Sequence, residues 1–379
     1  MKKKSILIFI DWFLPGYKAG GPIQSIANFV NHFGTELEIS IVTSNKDLGE
    51  VEPYQNVVFN AWIVKENYRI IYLDRANQNR KQYELFFKEQ QYDYVYLNSL
   101  FSVKFALLPL RVAIKSKNKI VLAPRGMLGA GALNLKKRKK QIMLVFFKLS
   151  GIPKKIHWQA TALTEVNEIK KCFGNKIHVQ LAPNLSAKMP DEAIVKVKNV
   201  GELNLFFLSR ISEKKNLKAA IQYLNEVHVS YKIRFTIIGP IDELNYWNQC
   251  QEMINKLPNH ITVRFLGPIP NHQIPEIIEK EHFMILPTFH ENFGHVIMES
   301  FQNACPVIIS NLTPWVGLAD KKIGWDISLD KPKDFVKAIE NAATMDGLTY
   351  NEWAKKSFFF AKELSNNKEI IAANRALFN

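Results

Sequence analysis

The sequence predicts an α/β protein with two doubly wound parallel sheets, one in each half of the chain. Its 379 residues exceed what one hydrophobic core usually organises, which favours two domains. Short β-branched and aromatic runs alternate with helical periods in both halves, as in successive βα units. Between them, residues 186–202 are polar, carry alternating charges and lack a core-quality apolar pattern. This stretch is therefore the predicted linker.

Each element is placed by its apolar run and by the polar or glycine residues that follow it. The predicted strands are 5–10, 38–43, 69–72, 94–97, 119–122 and 156–159 in the first half, then 204–209, 234–238, 261–265, 283–286 and 306–310. The predicted domains are 1–185 and 203–355, followed by a helical segment, 356–379.

Composition places the chain among soluble globular proteins, with 47% hydrophobic and 22% charged residues. No apolar run approaches the roughly 20 residues of a membrane-spanning helix. The cysteines Cys172, Cys250 and Cys305 are odd in number and widely spaced, which indicates a reducing compartment rather than a disulfide framework. We therefore expect a cytoplasmic protein.

The formal net charge of +15 is concentrated in one segment. No acidic residue lies between Asp93 and Glu165, whereas fourteen Lys or Arg do, including the run 136–140. An apolar stretch, 141–149, follows that run directly, a pattern typical of proteins on anionic membrane surfaces. We therefore expect residues 104–155 to contact the inner face of the plasma membrane. The alternative is a solvated basic face beside a core helix; nucleic acid is not an expected partner.

Ligands of parallel sheets bind beyond the carboxyl ends of the strands, so the loops there are the candidate sites. Gly20 and Gly21 precede a helical pattern and would let backbone approach an anion or a sugar closely. Arg210 and Lys215 follow the strand 204–209 and could clamp a diphosphate. By position alone, all four could equally belong to a tight turn and a solvated loop.

The strongest local signal follows the strand 283–286. Glu291 lies in the loop, Phe293 and Gly294 open a helix, and Glu299 lies two turns further. A carboxylate at that depth can accept both hydroxyls of a ribose, as acidic residues do in nucleotide-binding folds.

These motifs together resemble the retaining glycosyltransferases of family 4, which have the GT-B type of fold: two Rossmann-like domains facing each other across a cleft. The mark of that family is a pair of glutamates eight positions apart, and Glu291 and Glu299 fit it. The resemblance covers roughly 5–355 and implies that the final helical segment, 356–379, crosses back to the first domain. The segments 123–128, 291–297 and 313–315 look like bacterial members that assemble capsule, O-antigen, lipopolysaccharide or exopolysaccharide.

The resemblance implies a role for each residue of the second domain. Glu299 would hold the ribose of a nucleotide-sugar donor, Arg210 and Lys215 the diphosphate, and Glu291 the donor sugar. The backbone amides of Phe293 and Gly294 would assist.

In the first domain the resemblance is less specific. Gly20 and Gly21 match the first-domain loop of the family. Many members have a histidine loop near the donor sugar where this chain has Arg125, so Arg125 could bind a donor phosphate or an acceptor phosphate. The segment from His157 to Glu165 resembles a later part that faces the cleft.

The expected reaction is transfer of the sugar to a saccharide acceptor, with a lipid-linked acceptor as the hypothesis. The chain has no Asp-x-Asp sequence to hold a metal on the diphosphate, which predicts metal independence and no cofactor. The resemblance implies retention at the anomeric carbon. Two alternatives remain: a sugar-nucleotide epimerase or phosphorylase of the same fold, and a non-enzymatic basic protein that binds membrane surfaces.

Overall fold

The structure is a computed structural model that describes residues 3–129, 133 and 137–379. The chain divides into two compact units. Unit 1 comprises Met1–Ala187 and Asn367–Asn379, and unit 2 comprises Lys188–Asn366. The division therefore falls near the start of the predicted linker, and the chain returns to unit 1 at Asn367 rather than at 356.

Within the described residues, unit 1 contains one eight-stranded sheet of order β3-β4-β2-β1-β5-β6-β7-β8. Every pairing is parallel except that of β3 with β4. The strands are β1 Ser5–Phe9, β2 Glu38–Ser44, β3 Trp62–Val64, β4 Arg69–Leu73, β5 Tyr94–Asn98, β6 Lys119–Ala123, β7 His157–Ala160 and β8 His178–Leu181.

Helices cover both faces of this sheet. They are α1 Gly21–Phe33, α2 Arg80–Glu89, α3 Leu108–Lys115, α4 Lys137–Leu149, α5 Leu163–Phe173 and, from the end of the chain, α12 Lys368–Ala376. Side chains of β1 alternate between two cores: Ile6 and Ile8 pack on one face, Leu7 and Phe9 on the other. This two-residue alternation with apolar residues on both sides is what a parallel sheet between helices requires.

Within the described residues, unit 2 contains a six-stranded parallel sheet of order β11-β10-β9-β12-β13-β14. Its strands are β9 Glu202–Leu208, β10 Lys232–Ile238, β11 Ile261–Gly267, β12 Phe283–Leu286, β13 Val307–Ser310 and β14 Gly324–Ile327. Its helices are α6 Leu217–Asn225, α7 Leu244–Ile254, α8 Ile274–Ile278, α9 His295–Gln302, α10 Pro332–Thr344 and α11 Gly347–Ser365. Both units are Rossmann-like, which confirms the predicted fold class.

Two buried lysines attach the segment before β9 to unit 2. The Lys196 ammonium donates to the carbonyls of Ile278, the last residue of α8, and of Glu281 just after it, each at 2.9 Å. The Lys198 ammonium donates in the same way beyond α10, to Met345 O at 2.9 Å. Helix C-termini leave carbonyls unpaired, and cations there are stabilising. Part of the predicted linker is therefore built into unit 2.

No helix in the described part of the chain is both long and apolar enough to cross a membrane.

Candidate functional site

The candidate site of unit 2 lies where the strand order reverses. β9 lies between β10 and β12, so the loops that follow β9 and β12 leave neighbouring strands in opposite directions along the sheet. A crevice at such a point is where doubly wound sheets bind their ligands. Both loops carry residues predicted from the sequence.

Hydrogen bonds fasten these two loops together. The carbonyl of Lys214 accepts from Thr288 Oγ1 at 3.1 Å and from the Phe289 amide at 3.0 Å. The side chain of Asn216 donates to Pro287 O at 3.0 Å, and its backbone has a φ of 59°. Asparagine is among the residues that tolerate this left-handed conformation. Lys215, between the two anchors, is thereby held in place.

Lys215 and Glu291 form an ion pair across the two loops. Their side chains are only 13% and 11% exposed, so the pair is largely shielded from water. Further positive charge surrounds it: burial lowers the pKa of Lys214, and the charges of Lys215 and Arg210 lower it further. The structure thus brings two of the predicted residues into direct contact, with the cations Lys214 and Arg210 nearby.

Arg210 lies in the same loop but pairs elsewhere. Its guanidinium donates to Asp242 Oδ2 at 2.9 Å, and both side chains are about 40% exposed. Gly239 allows the loop after β10 to pack there, because a Cβ at this position would lie 1.9 Å from Ser209 O. Arg210 is therefore positioned by close backbone packing and remains accessible to an anionic ligand.

The turn that opens α9 is braced by Trp315. Its indole Nε1 donates to Phe293 O at 2.5 Å, and the two rings pack edge to face. Gly294 precedes the helix with a φ of 77°, and a Cβ there would lie 2.9 Å from Ile297 Cδ1. Glycine fits both the left-handed backbone and this close contact. The amides of Phe293 and Gly294 are thus held at a defined place beside Glu291.

Glu299 is half-buried on α9, and its side-chain carboxyl makes no hydrogen bond or ion pair with any described residue. Burial raises the pKa of its carboxyl to about 7. A carboxyl with free acceptor oxygens, kept dry at a strand-end crevice, is a strong candidate for ligand binding.

In unit 1, Gly20 ends the loop before α1, and Gly21 is the first residue of that helix. Gly20 has a φ of 65°, and a Cβ on it would meet nothing within 4 Å. Asp47 fastens the loop by accepting from the amides of Tyr17 and Lys18 at 2.8 and 3.1 Å. The loop is thus an ordered turn with open space at Gly20.

Arg125 follows β6 with a φ of 59° and is held by neutral acceptors. Its Nη2 donates to Tyr96 Oη and Asn98 Oδ1, each at 2.8 Å. Its Nε donates to the same oxygen of Asn98 at 3.1 Å, and its Nη1 donates to Asn184 Oδ1. No carboxylate among the described residues forms an ion pair with it. The sequence identified Arg125 but not these partners, although Asn98 directly follows a predicted strand.

His157 and Glu165, in the segment expected to face the cleft, have structural partners. His157 lies in β7 against His178, with ring centroids 4.0 Å apart, and burial lowers its pKa to about 4. Glu165 is fully buried and accepts from the Thr161 amide at 2.7 Å and from the Gly126 amide at 2.6 Å. Glu165 therefore fastens the loop that carries Arg125.

Sequence reasoning also missed Asp11, at the end of β1. Burial raises the pKa of its carboxyl to about 6, and Ser102 Oγ donates to it at 2.6 Å. Because Asp11 directly follows a predicted strand, the same rule that identified the other candidate residues also applies to it.

In the parts of the chain that the structure describes, no group of three or more His, Cys, Asp or Glu side chains could hold a metal ion. Metal independence remains a prediction.

Comparison with known proteins gives a match for the sequence around the site and a match for the fold. Residues 190–357, which contain Arg210, Lys215, Glu291 and Glu299, match the family model for glycosyl transferases group 1. The two Rossmann-like units match solved glycosyltransferases of the GT-B type. The chain is therefore an enzyme of the glycosyltransferase class.

The chain has distant relatives among characterised and uncharacterised proteins. It is 21% identical over 109 residues to O-antigen chain mannosyltransferase B of Escherichia coli, which is 28% of either chain. It is 22% identical over 312 residues to an uncharacterized 41.2 kDa protein in the cps region of Klebsiella pneumoniae, covering 74% of this chain and 76% of the relative.

Two solved structures share its fold over nearly the whole length. WaaG, a glycosyltransferase involved in lipopolysaccharide biosynthesis, has a TM-score of 0.65 and 11% identity, with 98% of each chain covered. Anabaena Alr3699/HepE, in complex with UDP and glucose, has a TM-score of 0.68 and 13% identity, covering 99% of this chain and 98% of that one. At such identities the likeness establishes the fold alone.

Proposed function

We propose that this enzyme is a retaining, metal-independent glycosyltransferase of family 4. It transfers a sugar from a nucleotide-sugar donor to a saccharide, lipid-linked acceptor in the assembly of capsule, O-antigen or exopolysaccharide. The observation that carries the proposal is the shielded Lys215–Glu291 pair at the strand-order reversal of unit 2, together with a Glu299 carboxyl that has no partner among the described residues.

In the proposed donor complex, the Glu299 carboxylate accepts hydrogen bonds from the ribose hydroxyls. Arg210 and Lys215 contact the diphosphate, so Lys215 exchanges the Glu291 carboxylate for a phosphate oxygen. Glu291 is then available to accept from a hydroxyl of the donor sugar. The amides of Phe293 and Gly294 donate to the same part of the ligand.

The bond that breaks joins the anomeric carbon to the outer phosphate, and negative charge develops on the leaving diphosphate. Cations fixed in a dry pocket stabilise such a charge without reorganisation. Arg210 and Lys215 supply this stabilisation, which is the role that a metal ion plays elsewhere. The acceptor hydroxyl attacks from the same face and passes its proton to the leaving phosphate. Glu291 orients the sugar and is not a nucleophile.

Two relatives support the proposed pathway: one is an O-antigen mannosyltransferase and the other comes from a cps region. The complex of HepE with UDP and glucose supports a nucleotide-sugar donor. Neither the epimerase nor the non-enzymatic alternative has comparable support.

We further propose that α4 rests on the inner face of the plasma membrane. Its apolar residues Ile142, Val145, Phe146 and Leu149 form a stripe at helical spacing and are 56–78% exposed. The opposite side packs into unit 1 through Phe147, whose ring meets that of Phe173 at 5.7 Å.

Basic side chains accompany this apolar stripe. Arg138, Lys139 and Lys148 are charged residues of the same helix, and Arg138 and Lys148 are exposed. Lys136 lies outside the described residues, as does the side chain of Lys137. An exposed apolar stripe flanked by cations fits an anionic lipid surface, where both interactions act together.

The donor site is tested by radiolabelled-sugar transfer from a panel of UDP- and GDP-sugars to lipid-linked acceptors in EDTA. The wild type is expected to transfer from one donor, and Glu299→Ala to lose that transfer. Glu252→Ala, an equivalent change on the exposed face of α7, serves as the matched control. Transfer that requires added metal ions, or a fully active Glu299→Ala variant, would contradict the proposal.

The membrane contact is tested by sedimentation with vesicles of phosphatidylglycerol or phosphatidylcholine. The protein is expected to pellet with the anionic vesicles only, and less as salt is raised. Phe146→Ser with Leu149→Ser should abolish pelleting. The control, Val229→Ser with Leu348→Ser, removes apolar residues that are 70% and 86% exposed in unit 2. Equal pelleting by both double variants would count against α4.

A further inference from the structure

We propose that Arg125 and Asn98 form a binding site for a phosphate oxyanion at the carboxyl edge of the unit 1 sheet. Its residues all belong to unit 1. Anion binding follows from the local geometry alone, whereas the assignment of that anion to a substrate rests on the function proposed above.

The first observation is that Arg125 forms no ion pair with a described carboxylate. The Arg125 guanidinium is half-buried, and its hydrogen bonds go to Tyr96, Asn98 and Asn184, none of which carries a negative charge. A charge held partly away from water is normally paired with an opposite charge. The described surroundings of Arg125 leave that position open.

The Glu165 carboxylate, which lies next to the Arg125 loop, already accepts hydrogen bonds from other groups. Its Oε1 accepts from the Gly126 amide at 2.6 Å. Its Oε2 accepts from both the amide and the hydroxyl of Thr161, each at 2.7 Å. Glu165 therefore holds the loop in shape and does not pair with the guanidinium.

The second observation is a set of unused donors at the same place. A guanidinium has five N–H groups, and the hydrogen bonds of Arg125 account for four, which leaves one on Nη1. Asn98 is fully buried, and its Nδ2 has no partner in the described structure. Because its Oδ1 accepts twice from Arg125, this amide nitrogen lies beside the guanidinium. Buried amide donors are rarely left unpaired, so this one points to a ligand.

The third observation is backbone strain at Arg125 and at the residue directly after Asn98. Arg125 has a φ of 59°, and Ser99, which follows Asn98, has a φ of 79°. They follow the adjacent strands β6 and β5, whose ends pair Asn98 with Ala123. Left-handed backbone at non-glycine residues is unfavourable and is concentrated at functional sites.

The surrounding network is rigid enough to hold such a site. Tyr96 Oη donates to Gln159 Oε1 at 2.5 Å, and Gln159 Nε2 donates to Ala182 O at 2.9 Å. A planar guanidinium that is fixed in orientation, with an amide donor beside it, matches the oxygens of a phosphate better than those of a single hydroxyl. The shared chemistry is a phosphate oxyanion, whether it belongs to the donor or to a phosphate-bearing acceptor.

The decisive variant is Asn98→Asp, which places a carboxylate against Arg125 and so supplies the missing counter-charge internally. If Arg125 has only a structural role, this variant should melt at the same or a higher temperature and behave like the wild type otherwise. If the site binds an anion, the variant should lose that binding while remaining folded. Asn56→Asp, an identical change at an exposed residue of unit 1, is the control.

The first measurement is the melting temperature of the full-length protein against inorganic phosphate at constant ionic strength. The wild type and Asn56→Asp are expected to be stabilised progressively, because a ligand that binds the folded state raises its stability. Asn98→Asp should lose the part of this shift that Arg125 contributes and keep only the part contributed by Arg210 and Lys215. Absence of a phosphate effect in the wild type, or an equal effect in Asn98→Asp, would overturn the proposal.

Steady-state kinetics then identify the source of the anion. If Asn98→Asp has a KM for the lipid-linked acceptor at least tenfold above that of the wild type, and an unchanged KM for the donor, the site binds a phosphate of the acceptor. If instead the donor KM rises and the acceptor KM is unchanged, the site binds a phosphate of the donor. Glu299→Ala provides the separation from the proposed function: it should lose donor binding and keep the phosphate-dependent stabilisation.

Discussion

The ammonium of Lys215 contacts the carboxylate of Glu291 across two loops that are 76 positions apart in the chain, and neither side chain exceeds 13% exposure. The pair exists because β9 and β12 are neighbours, and because the Lys214 carbonyl and the Asn216 side chain join the loops that follow them. In the proposed donor site, a diphosphate must therefore displace the Glu291 carboxylate from Lys215.

We expect Lys215→Met to lower both activity and stability. Removal of one partner leaves a shielded carboxylate unpaired, which should reduce the free energy of unfolding by roughly 1–3 kcal/mol. Loss of the cation should reduce kcat by about 10²-fold or more. The double variant Lys215→Met with Glu291→Gln should recover stability in urea unfolding but not kcat. Recovery of kcat as well would show that Lys215 acts only through folding.

The pH dependence of donor binding should follow Glu299. With its pKa raised to about 7, the carboxyl is mostly protonated at pH 6 and mostly ionised at pH 8. Ribose hydroxyls donate to the ionised form, so donor KM should fall about tenfold as pH rises across that interval. Glu299→Gln should bind more weakly and show a flat profile. A wild-type donor KM independent of pH between 6 and 8 would argue against this role.

Glu281 should make stability depend on pH in the opposite direction. It is buried, and its Oε1 accepts from Thr236 Oγ1 at 2.8 Å, whereas its Oε2 has no hydrogen-bond partner in the described part of the chain. Burial raises the pKa of this carboxyl to about 7. The native state therefore favours the protonated form: the contribution is complete below the ordinary pKa of 4.5 and is lost as pH rises through 7.

This dependence is measurable by urea unfolding at pH 5 and pH 8. Relative to Glu281→Gln, the wild type should lose roughly 1–3 kcal/mol between the two values. Parallel behaviour of the two proteins would show that Glu281 does not titrate in this interval.

Lys117→Gly should stabilise unit 1. Lys117 follows α3 with a φ of 57°, and the amide of Asn118 donates to Ala113 O at 3.2 Å, which is the helix ending that favours glycine. Relief of the left-handed strain should raise the free energy of unfolding by about 0.5–1 kcal/mol. Lys117→Ala removes the same charge but keeps the strain, so it should have little effect. Equal stabilisation by both variants would point to the charge instead.

The sequence predicted the central strands well, because each combines a β-branched apolar run with a polar stop. It missed β3, β8 and β14, which are short strands at or near the sheet edges. Three or four residues give too little alternation to distinguish a strand from a loop. Their places are fixed by neighbouring strands, which is information that a local pattern lacks.

The segment 194–198 shows why the predicted linker differs from the observed division. Val195 and Val197 are 83% and 85% exposed, whereas the intervening Lys196 and Lys198 are buried. This reverses the usual rule that apolar residues face the core. The lysines are buried because helix ends supply carbonyls for their ammonium groups. A composition-based reading assigns such a stretch to solvent.

For the site, the sequence located residues but not their partners. Arg210, Lys215, Glu291 and Glu299 were found because they follow strands in the expected order. The pairing of Arg210 with Asp242 depends on two loops meeting in space and could not be deduced from spacing.

Unit 1 is discontinuous in the chain. Its last piece, Asn367–Asn379, contributes Phe378, whose ring packs within 5.5 Å of the rings of Phe29, Tyr94 and Tyr96. On a ribosome, the first 187 residues are therefore synthesised long before their sheet can be covered completely. Unit 2 is contiguous and can close its core earlier. Unit 1 is thus begun before unit 2 but completed after it. Until Phe378 has been synthesised, the rings of Phe29, Tyr94 and Tyr96 lack the aromatic side chain that packs on them in the folded protein.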